Sequence, residues 1–179
     1  PGFLIGGVPL NFGISARLHG EKDSSFFVIE ADEYDTAFFD KRSKFVHYRP
    51  KTAILNNLEY DHADIFSDIS VIETQFHHLV RTVAGNGRLI VNNREPALER
   101  VVERGCWSEK EWFGDEAKDS WSMIEKDNGD FDVFFDGQYQ GTVHWELTGE
   151  HNRLNALAAI AAARHIGVRP EQSIDSLSR

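Results

Sequence analysis

Two short apolar runs in this sequence are each followed directly by a cluster rich in acidic side chains. Residues 26–29 precede the first cluster, at 30–35, and residues 52–55 precede the second, at 56–64. Uninterrupted runs of Val, Ile and Phe are typical of strands that are buried on both faces of a parallel sheet. Ligands of such sheets collect at the carboxyl ends of the strands. The sequence therefore predicts that the two runs are neighbouring strands and that both clusters open onto one crevice.

The side chains of the two clusters suit a hard divalent cation that serves phosphate chemistry. Glu30 directly follows its apolar run and supplies the oxygen ligand that Mg²⁺ prefers. His62 is the one imidazole, and taken alone it is better explained as a hydrogen-bonding histidine at the start of a helix. The clusters also contain a set of carboxylates that we interpret as solvated loop charges: Asp32, Glu33, Asp35, Asp61 and Asp64.

Length and composition bound the class of protein. With 179 residues, of which 41% are hydrophobic and 27% charged, the chain is long enough for one ordinary domain with a core. Its formal net charge of −10 argues against a nucleic-acid partner, because phosphate backbones require basic patches. No apolar stretch approaches the roughly 20 residues that cross a bilayer. The single cysteine, Cys106, cannot form an internal disulfide, which favours a reducing cytoplasm.

The middle of the chain alternates between helical and strand patterns. Apolar residues at helical spacing predict a helix over 69–83, and 88–91 is typical of the next strand. Pro96 is expected to begin a second helix. Residues 106–107 and 112–113 are expected to be short strand pieces. This alternation indicates an α/β sheet.

After about residue 120 the apolar pattern changes to a period of two. Residues 131–135 and 138–143 flank Asp136 and Gly137, which predicts a hairpin with a type I′ turn. Residues 145–147 are expected to extend this antiparallel piece.

The last predicted element is an Ala-rich helix over about 154–163, with Asn152 as its N-cap and its end near Gly167. The predicted fold class is therefore α/β: a mainly parallel sheet flanked by helices, with a small antiparallel β piece. No repeat or linker is visible, so one domain is expected.

Three motifs, taken in order, resemble the central domain of the Mur ligases, the ATP-dependent amide-bond-forming enzymes of bacterial cell-wall synthesis. The first is Glu-Ala-Asp-Glu at 30–33, and the second is Asn-Leu-Glu-Tyr-Asp-His-Ala-Asp at 57–64. The third is Gly-Glu-His-Asn at 149–152, followed by Asn155. The resemblance runs from about residue 2 to about residue 168.

Within the family, residues 6–12 and 30–50 most strongly resemble the members of peptidoglycan recycling. Those enzymes join UDP-N-acetylmuramate to the tripeptide L-Ala-γ-D-Glu-meso-diaminopimelate, so these two compounds are the expected partners. The alternative within the family is the sister enzyme that adds L-alanine to UDP-N-acetylmuramate, which usually has Ser at the position of Tyr34.

The resemblance also implies a mechanism. Mur ligases transfer the γ-phosphoryl group of ATP to a carboxylate, and an amine then attacks the acyl phosphate; Mg²⁺ offsets the charge of both anions. The resemblance implies that Glu30 and His62 hold the second Mg²⁺ and are catalytic. It implies that Asn152 and Asn155 contact adenine, and that His151 belongs to the same nucleotide site.

The sequence departs from the family pattern in three respects. The 179 residues contain no Gly-Lys-Thr phosphate loop, which is expected upstream together with a sugar-nucleotide-binding domain. The C-terminal domain of the family is also not among them, and the chain does not begin with Met, so it is expected to be a piece that is inactive by itself. Glu150 stands where Arg is common in the sister enzyme, for a reason that the sequence does not give.

Other classes of function fit parts of the same pattern. A metal-dependent phosphohydrolase would use similar acidic and histidine residues, but the remaining histidines show no spacing for a second metal. A non-catalytic domain is the second alternative. A third alternative, within the same superfamily, is folylpolyglutamate synthase, but that enzyme lacks a segment that resembles residues 38–48.

Overall fold

The computed structural model of the protein describes residues 1–20, 25–32, 34–58 and 68–179. These residues form two compact units, Pro1–Phe45 and Val46–Arg179, which we describe in turn.

The first unit contains two small sheets and a short 3₁₀ turn. Its strands are β1 (Gly2–Leu4), β2 (Ala16–Arg17), β3 (Phe27–Ile29), β4 (Asp35–Ala37) and β5 (Asp40–Ser43), and the 3₁₀ turn spans Lys44–His47. The three-stranded sheet has the order β2-β1-β3, in which β1 is parallel to β3 and antiparallel to β2. Strands β4 and β5 form an antiparallel hairpin.

The prediction that the two apolar runs are neighbouring strands of one sheet is wrong. The first run, as β3, pairs with β1, whereas the second run, as β6 (Thr52–Leu55), pairs with β7 (Arg88–Asn92) in another sheet. The partner of β3 is the three-residue strand β1, which lies beside a Gly-rich loop. A strand this short shows no recognisable strand pattern in the sequence. The backbone N–H of Gly2 donates to the Phe26 carbonyl at 3.1 Å, and the N–H of Glu30 donates to the Leu4 carbonyl at 2.9 Å.

Burial on both faces, which the apolar runs predicted, is also not found in these two strands. In β3, the Phe27 and Val28 side chains are 47% and 54% exposed. In β6, Ala53 and Leu55 are buried while Ile54 is exposed, so one face of this strand is covered. The apolar runs therefore predicted the two strands correctly, but they did not predict how many faces of each strand are buried.

The second unit is built on a six-stranded sheet with the order β11-β10-β9-β8-β7-β6. Its remaining strands are β8 (Glu109–Gly114), β9 (Ser120–Glu125), β10 (Phe131–Phe135) and β11 (Gln138–Val143). Strands β6 to β9 are parallel, and β9 to β11 are antiparallel. This sheet and its helices confirm the predicted α/β class with a small antiparallel piece.

Four helices accompany this sheet: α1 (Ile69–Thr82), α2 (Pro96–Glu103), α3 (Glu150–His165) and α4 (Pro170–Leu177). One face of α3 packs on β6 to β9, and its Leu157 and Ile160 lie in a fully buried cluster with Phe113 and Trp121. Asp68 caps α1 by accepting from the Ser70 N–H at 2.8 Å. Among the residues described, no helix is long and apolar enough to cross a membrane.

The predicted hairpin is confirmed, whereas two of the short strand predictions are wrong. Asp136 and Gly137 both have positive φ, at 48° and 71°, as a type I′ turn requires. Residues 145–147 are not a strand; instead Trp145 packs against the ring of Phe131, with ring centroids 6.1 Å apart. Residues 106–107 lie in the loop before β8. In both segments the apolar residues that suggested a strand have no strand to pair with among the residues that the structure describes.

A charged cluster lies within the core of the second unit, around Glu111 of β8. The Glu111 residue is 2% exposed. Its carboxylate accepts from Trp121 Nε1 at 2.8 Å and from Arg164 Nη1 at 3.0 Å, and it also pairs with Arg88. The Arg164 guanidinium in turn lies 4.4 Å from the centre of the Phe135 ring. Two guanidinium groups and one indole N–H thus satisfy a carboxylate that water does not reach.

Candidate functional site

The predicted site residues fall in both units and partly outside the described residues. Glu30 lies directly after β3 in the first unit. His151, Asn152 and Asn155 lie in the first two turns of α3 in the second unit. His62, the other predicted metal ligand, lies outside the described residues. So do three carboxylates of the two acidic clusters: Glu33, Asp61 and Asp64.

Glu30 is exposed, and its carboxylate is held by the backbone of the Gly-rich loop. The Gly6 N–H donates to Glu30 Oε2 at 2.6 Å. A Cβ on Gly6 would lie 3.3 Å from the same oxygen, so a side chain here would crowd the carboxylate. The loop therefore orients the one carboxylate that the sequence singled out as a metal ligand.

Two neighbouring carboxylates of the first cluster are paired with lysines, one in β5 and one at the start of the 3₁₀ turn. Asp32 lies 3.6 Å from Lys44 Nζ, and Asp35 lies 2.7 Å from Lys41 Nζ. Asp32 lies in a loop, as expected, whereas Asp35 is the first residue of β4. Both ion pairs are at the surface and contribute about 0–1 kcal/mol each.

The start of α3 differs from the prediction in one respect. The N-cap is Gly149, not Asn152, because the helix begins three residues earlier, at Glu150. The Asn152 amide instead donates from Nδ2 to the Thr148 carbonyl at 2.7 Å, so it ties the helix to the segment before it. An Ala-rich run predicts that a helix is present, but it does not predict the residue at which the helix begins, because that depends on side-chain contacts of the first turn.

Replacing Gly149 by Ala is expected to weaken the start of α3. Gly149 has φ 96° and ψ 140°, and an added Cβ would lie 2.8 Å from Cε1 of His151. Holding a non-Gly residue in such a conformation costs of order 1–3 kcal/mol. We expect faster hydrogen exchange in the first turn of α3. Gly167→Ala, which also has positive φ (93°) but no neighbour within 4 Å of the added Cβ, is the matched control at the other end of α3. Equally faster exchange in the first turn of α3 in both variants would contradict this prediction.

Asn155 is tied to the carboxyl ends of two parallel strands. Asn56, directly after β6, donates from Nδ2 to Asn155 Oδ1 at 2.5 Å. Asn92, the last residue of β7, donates from Nδ2 to the Asn56 carbonyl at 2.8 Å. These bonds fix the direction in which the exposed Asn155 amide is turned, because its oxygen faces Asn56.

Arg94, just after β7, is a residue that the sequence analysis missed. Its Nε donates to Asp115 Oδ1 at 2.7 Å, and its Nη1 pairs with Glu150 in the first turn of α3. Burial lowers the pKa of Arg94, but the hydrogen bonds that Arg94 donates to the Asp115 and Glu150 carboxylates, together with their negative charge, outweigh burial and raise this pKa above its ordinary value. Glu150, which had no explanation from the sequence, is thus the partner of Arg94.

The donor set is chemically suited to the two groups that the resemblance implies. Glu30 presents a hard oxygen ligand, as Mg²⁺ prefers. Among the residues described, no three His, Cys, Asp or Glu side chains are grouped to hold a metal; His62 is not one of the described residues. The amides of Asn152 and Asn155 carry both a donor and an acceptor, and an Asn amide can bond both N6 and N7 of adenine.

Comparison with known proteins relates this chain to one family. A family model described as the Mur ligase middle domain matches residues 9–163. The chain is 56% identical over 177 residues to the UDP-N-acetylmuramate–L-alanyl-γ-D-glutamyl-meso-2,6-diaminoheptandioate ligase of Escherichia coli K12, a match that covers 99% of this chain. It is 32% identical over 197 residues to the UDP-N-acetylmuramate–L-alanine ligase of a Roseiflexus species, which again covers 99% of this chain.

A solved structure gives the same relationship. The crystal structure of the UDP-N-acetylmuramate:L-alanyl-γ-D-glutamyl-meso-diaminopimelate ligase from Neisseria meningitides matches with a TM-score of 0.94 and 57% identity, over 99% of this chain and 56% of that one. The chain spans 38% of the length of the Escherichia coli relative and 40% of the Roseiflexus relative.

Proposed function

Because the chain belongs to the Mur ligase family, we propose that the full-length protein joins UDP-N-acetylmuramate to the tripeptide L-Ala-γ-D-Glu-meso-diaminopimelate with hydrolysis of ATP to ADP and phosphate. The observation that supports this choice is the identity across nearly the whole chain, which is 56% to a ligase of that name and 32% to a ligase named for L-alanine. This activity would serve peptidoglycan recycling in the cytoplasm.

In this function the chain supplies ligands for the metal and contacts for the nucleotide base. We propose that Glu30 and His62 hold Mg²⁺, which offsets phosphate charge during transfer of the γ-phosphoryl group. The Gly6 N–H supports Glu30 by fixing the orientation of its carboxylate. Asn152 and Asn155 contact adenine, with His151 beside them.

The remaining contacts to ATP, sugar nucleotide and tripeptide come from parts of the full-length protein outside these 179 residues. The chain alone lacks a Gly-Lys-Thr loop. With only a base contact and two metal ligands, we expect the chain alone to bind ATP no more tightly than about millimolar, because each net hydrogen bond contributes only about 0.5–1.5 kcal/mol.

A ligation assay with the full-length protein tests this function. ADP release should require both UDP-N-acetylmuramate and the tripeptide, and mass spectrometry should find the joined UDP-muramoyl tripeptide. With L-alanine in place of the tripeptide, turnover should fall by at least about a hundredfold. Equal or faster turnover with L-alanine would favour the sister activity, and phosphate release without any amine would favour a phosphohydrolase.

A further inference from the structure

A closed set of hydrogen bonds connects the start of α3 to the ends of two neighbouring parallel strands. From Asn155, the connection runs to Asn56 after β6 and then to Asn92 at the end of β7. The Arg94 N–H donates to Asn92 Oδ1 at 3.0 Å, and the Arg94 side chain returns to α3 through Glu150. We call these five residues, Asn155, Asn56, Asn92, Arg94 and Glu150, the α3 ring.

The α3 ring includes residues at both ends of the helical segment 150–155, which carries the Asn152 and Asn155 amides. Glu150 and Asn155 lie in α3 on either side of Asn152, so the two side-chain links bracket the two turns in which Asn152 and Asn155 lie. A carboxylate in the first turn of a helix is also favoured by the helix dipole. The start of α3 thus has two separate ties to the sheet, one to each of its first two turns.

Arg94 is held rigidly from the other side. Asp115, after β8, accepts from Arg94 Nε, and its own backbone is paired with Asn93: the Asp115 N–H donates to Asn93 Oδ1 at 2.8 Å, and Asn93 Nδ2 donates to the Asp115 carbonyl at 2.9 Å. Gly114 has φ 125°, and an added Cβ would lie 2.5 Å from Asn93 Oδ1. The backbone of β8 can approach this loop only because position 114 has no side chain.

From this geometry we propose that Arg94 is a positioning residue for base recognition: through Glu150 it fixes the first turn of α3, and with it the amides of Asn152 and Asn155 that bond adenine. This inference rests on the proposed function, because it takes the adenine contact from it. Arg94 itself touches no substrate in this proposal. Its guanidinium suits the task, because its planar fork presents N–H donors to two carboxylates in fixed directions, whereas the three donors of a lysine rotate.

The test compares Arg94→Gln, Glu150→Gln and the double variant in the full-length protein, with calorimetric Kd values for ADP and GDP. Each single change should weaken ADP binding about five- to tenfold, since it loosens hydrogen bonds that need exact placement. GDP lacks the N6 amine of adenine, so its Kd should change less than twofold, and the preference for ADP over GDP should narrow. The KM for ATP should rise with the Kd for ADP, while kcat at saturating ATP stays within about threefold.

The double variant and a control variant test whether Arg94 affects ADP binding through its ion pair with Glu150. If Arg94 acts through Glu150, the double variant should bind ADP no more weakly than Arg94→Gln alone, whereas independent effects would multiply. Arg179→Gln, which removes the guanidinium that pairs with Asp175 in α4, should leave both affinities unchanged.

Several outcomes would overturn the proposal. These are unchanged ADP affinity in Arg94→Gln, equal loss of ADP and GDP affinity, multiplied effects in the double variant, or a wild-type protein that binds ADP no more tightly than GDP. None of these readouts needs ligation. A wild-type protein that prefers ADP and shows the expected coupling but forms no UDP-muramoyl tripeptide would therefore contradict the proposed function and leave the positioning role supported.

Discussion

Glu30→Ala in the full-length protein is expected to lower kcat for ligation by at least about a hundredfold while the melting temperature changes by no more than about 2 °C. In the proposed function Glu30 is a ligand of Mg²⁺, and its loss would weaken binding of an ion that stabilises transition-state charge by several kcal/mol; about 1.4 kcal/mol is a factor of ten in rate. Folding should be little affected because the Glu30 carboxylate is exposed, and water can replace it as acceptor for the Gly6 N–H. Initial-rate kinetics and differential scanning fluorimetry measure the two quantities.

Glu30→Gln separates the role of charge from that of the hydrogen bond. The Gln oxygen can still accept from the Gly6 N–H, but the side chain no longer carries the charge that Mg²⁺ prefers. We therefore expect Glu30→Gln to be nearly as slow as Glu30→Ala, and raising the Mg²⁺ concentration to recover part of the rate. Wild-type activity in Glu30→Gln would mean that the carboxylate orders the Gly-rich loop and does not bind metal.

The second large effect is expected on stability, from Glu111→Ala. Removing the carboxylate leaves Arg88, Arg164 and the Trp121 N–H without their shared acceptor in the core. The buried Trp121 N–H loses its acceptor, whereas Arg88 keeps Glu109 and the Arg164 side chain is 39% exposed, so we expect a cost of about 1–3 kcal/mol. Hydrogen exchange of β8 and β9 peptides in the full-length protein reports the opening free energy of this sheet.

Glu109→Ala is the matched control, because Glu109 lies on the same strand and pairs with the same Arg88. Its side chain is 73% exposed, against 3% for Glu111. An exposed pair contributes at most about 1 kcal/mol, so exchange in β8 and β9 should change little. Comparable protection losses in the two variants would show that burial does not set the strength of this cluster.

The sequence predicted the type of most elements in the second unit because their patterns are local. The helix at 69–83, the Pro96 helix start and the Asp136-Gly137 turn depend on spacing or backbone preferences within a few residues, and all three are found. The pairing of β3 was missed because hydrogen bonds between strands depend on a partner distant in the chain, here a three-residue strand at Gly2–Leu4.

For the candidate site, the rule that polar residues follow strand ends was applied to only some strands. It selected Glu30 and the 56–64 cluster, but the same rule applied to β7 would also have named Asn92 and Arg94. The pairing of Arg94 with Glu150 spans 56 residues, and that of Glu111 with Arg164 spans 53. No local pattern carries such contacts, so only the fold reveals which charges meet.

The order of the six-stranded sheet has a consequence for how a nascent chain acquires it. Read from β6 to β11, the strands lie side by side in the order in which a ribosome makes them. No strand therefore has to be inserted between two strands that are already paired. The β10–β11 hairpin is closed by two residues and should form fastest, since short loops lose least entropy on closure. It is also made last among the strands of this sheet, so we expect the pair of strands that forms fastest to become available only after the other four strands have been made.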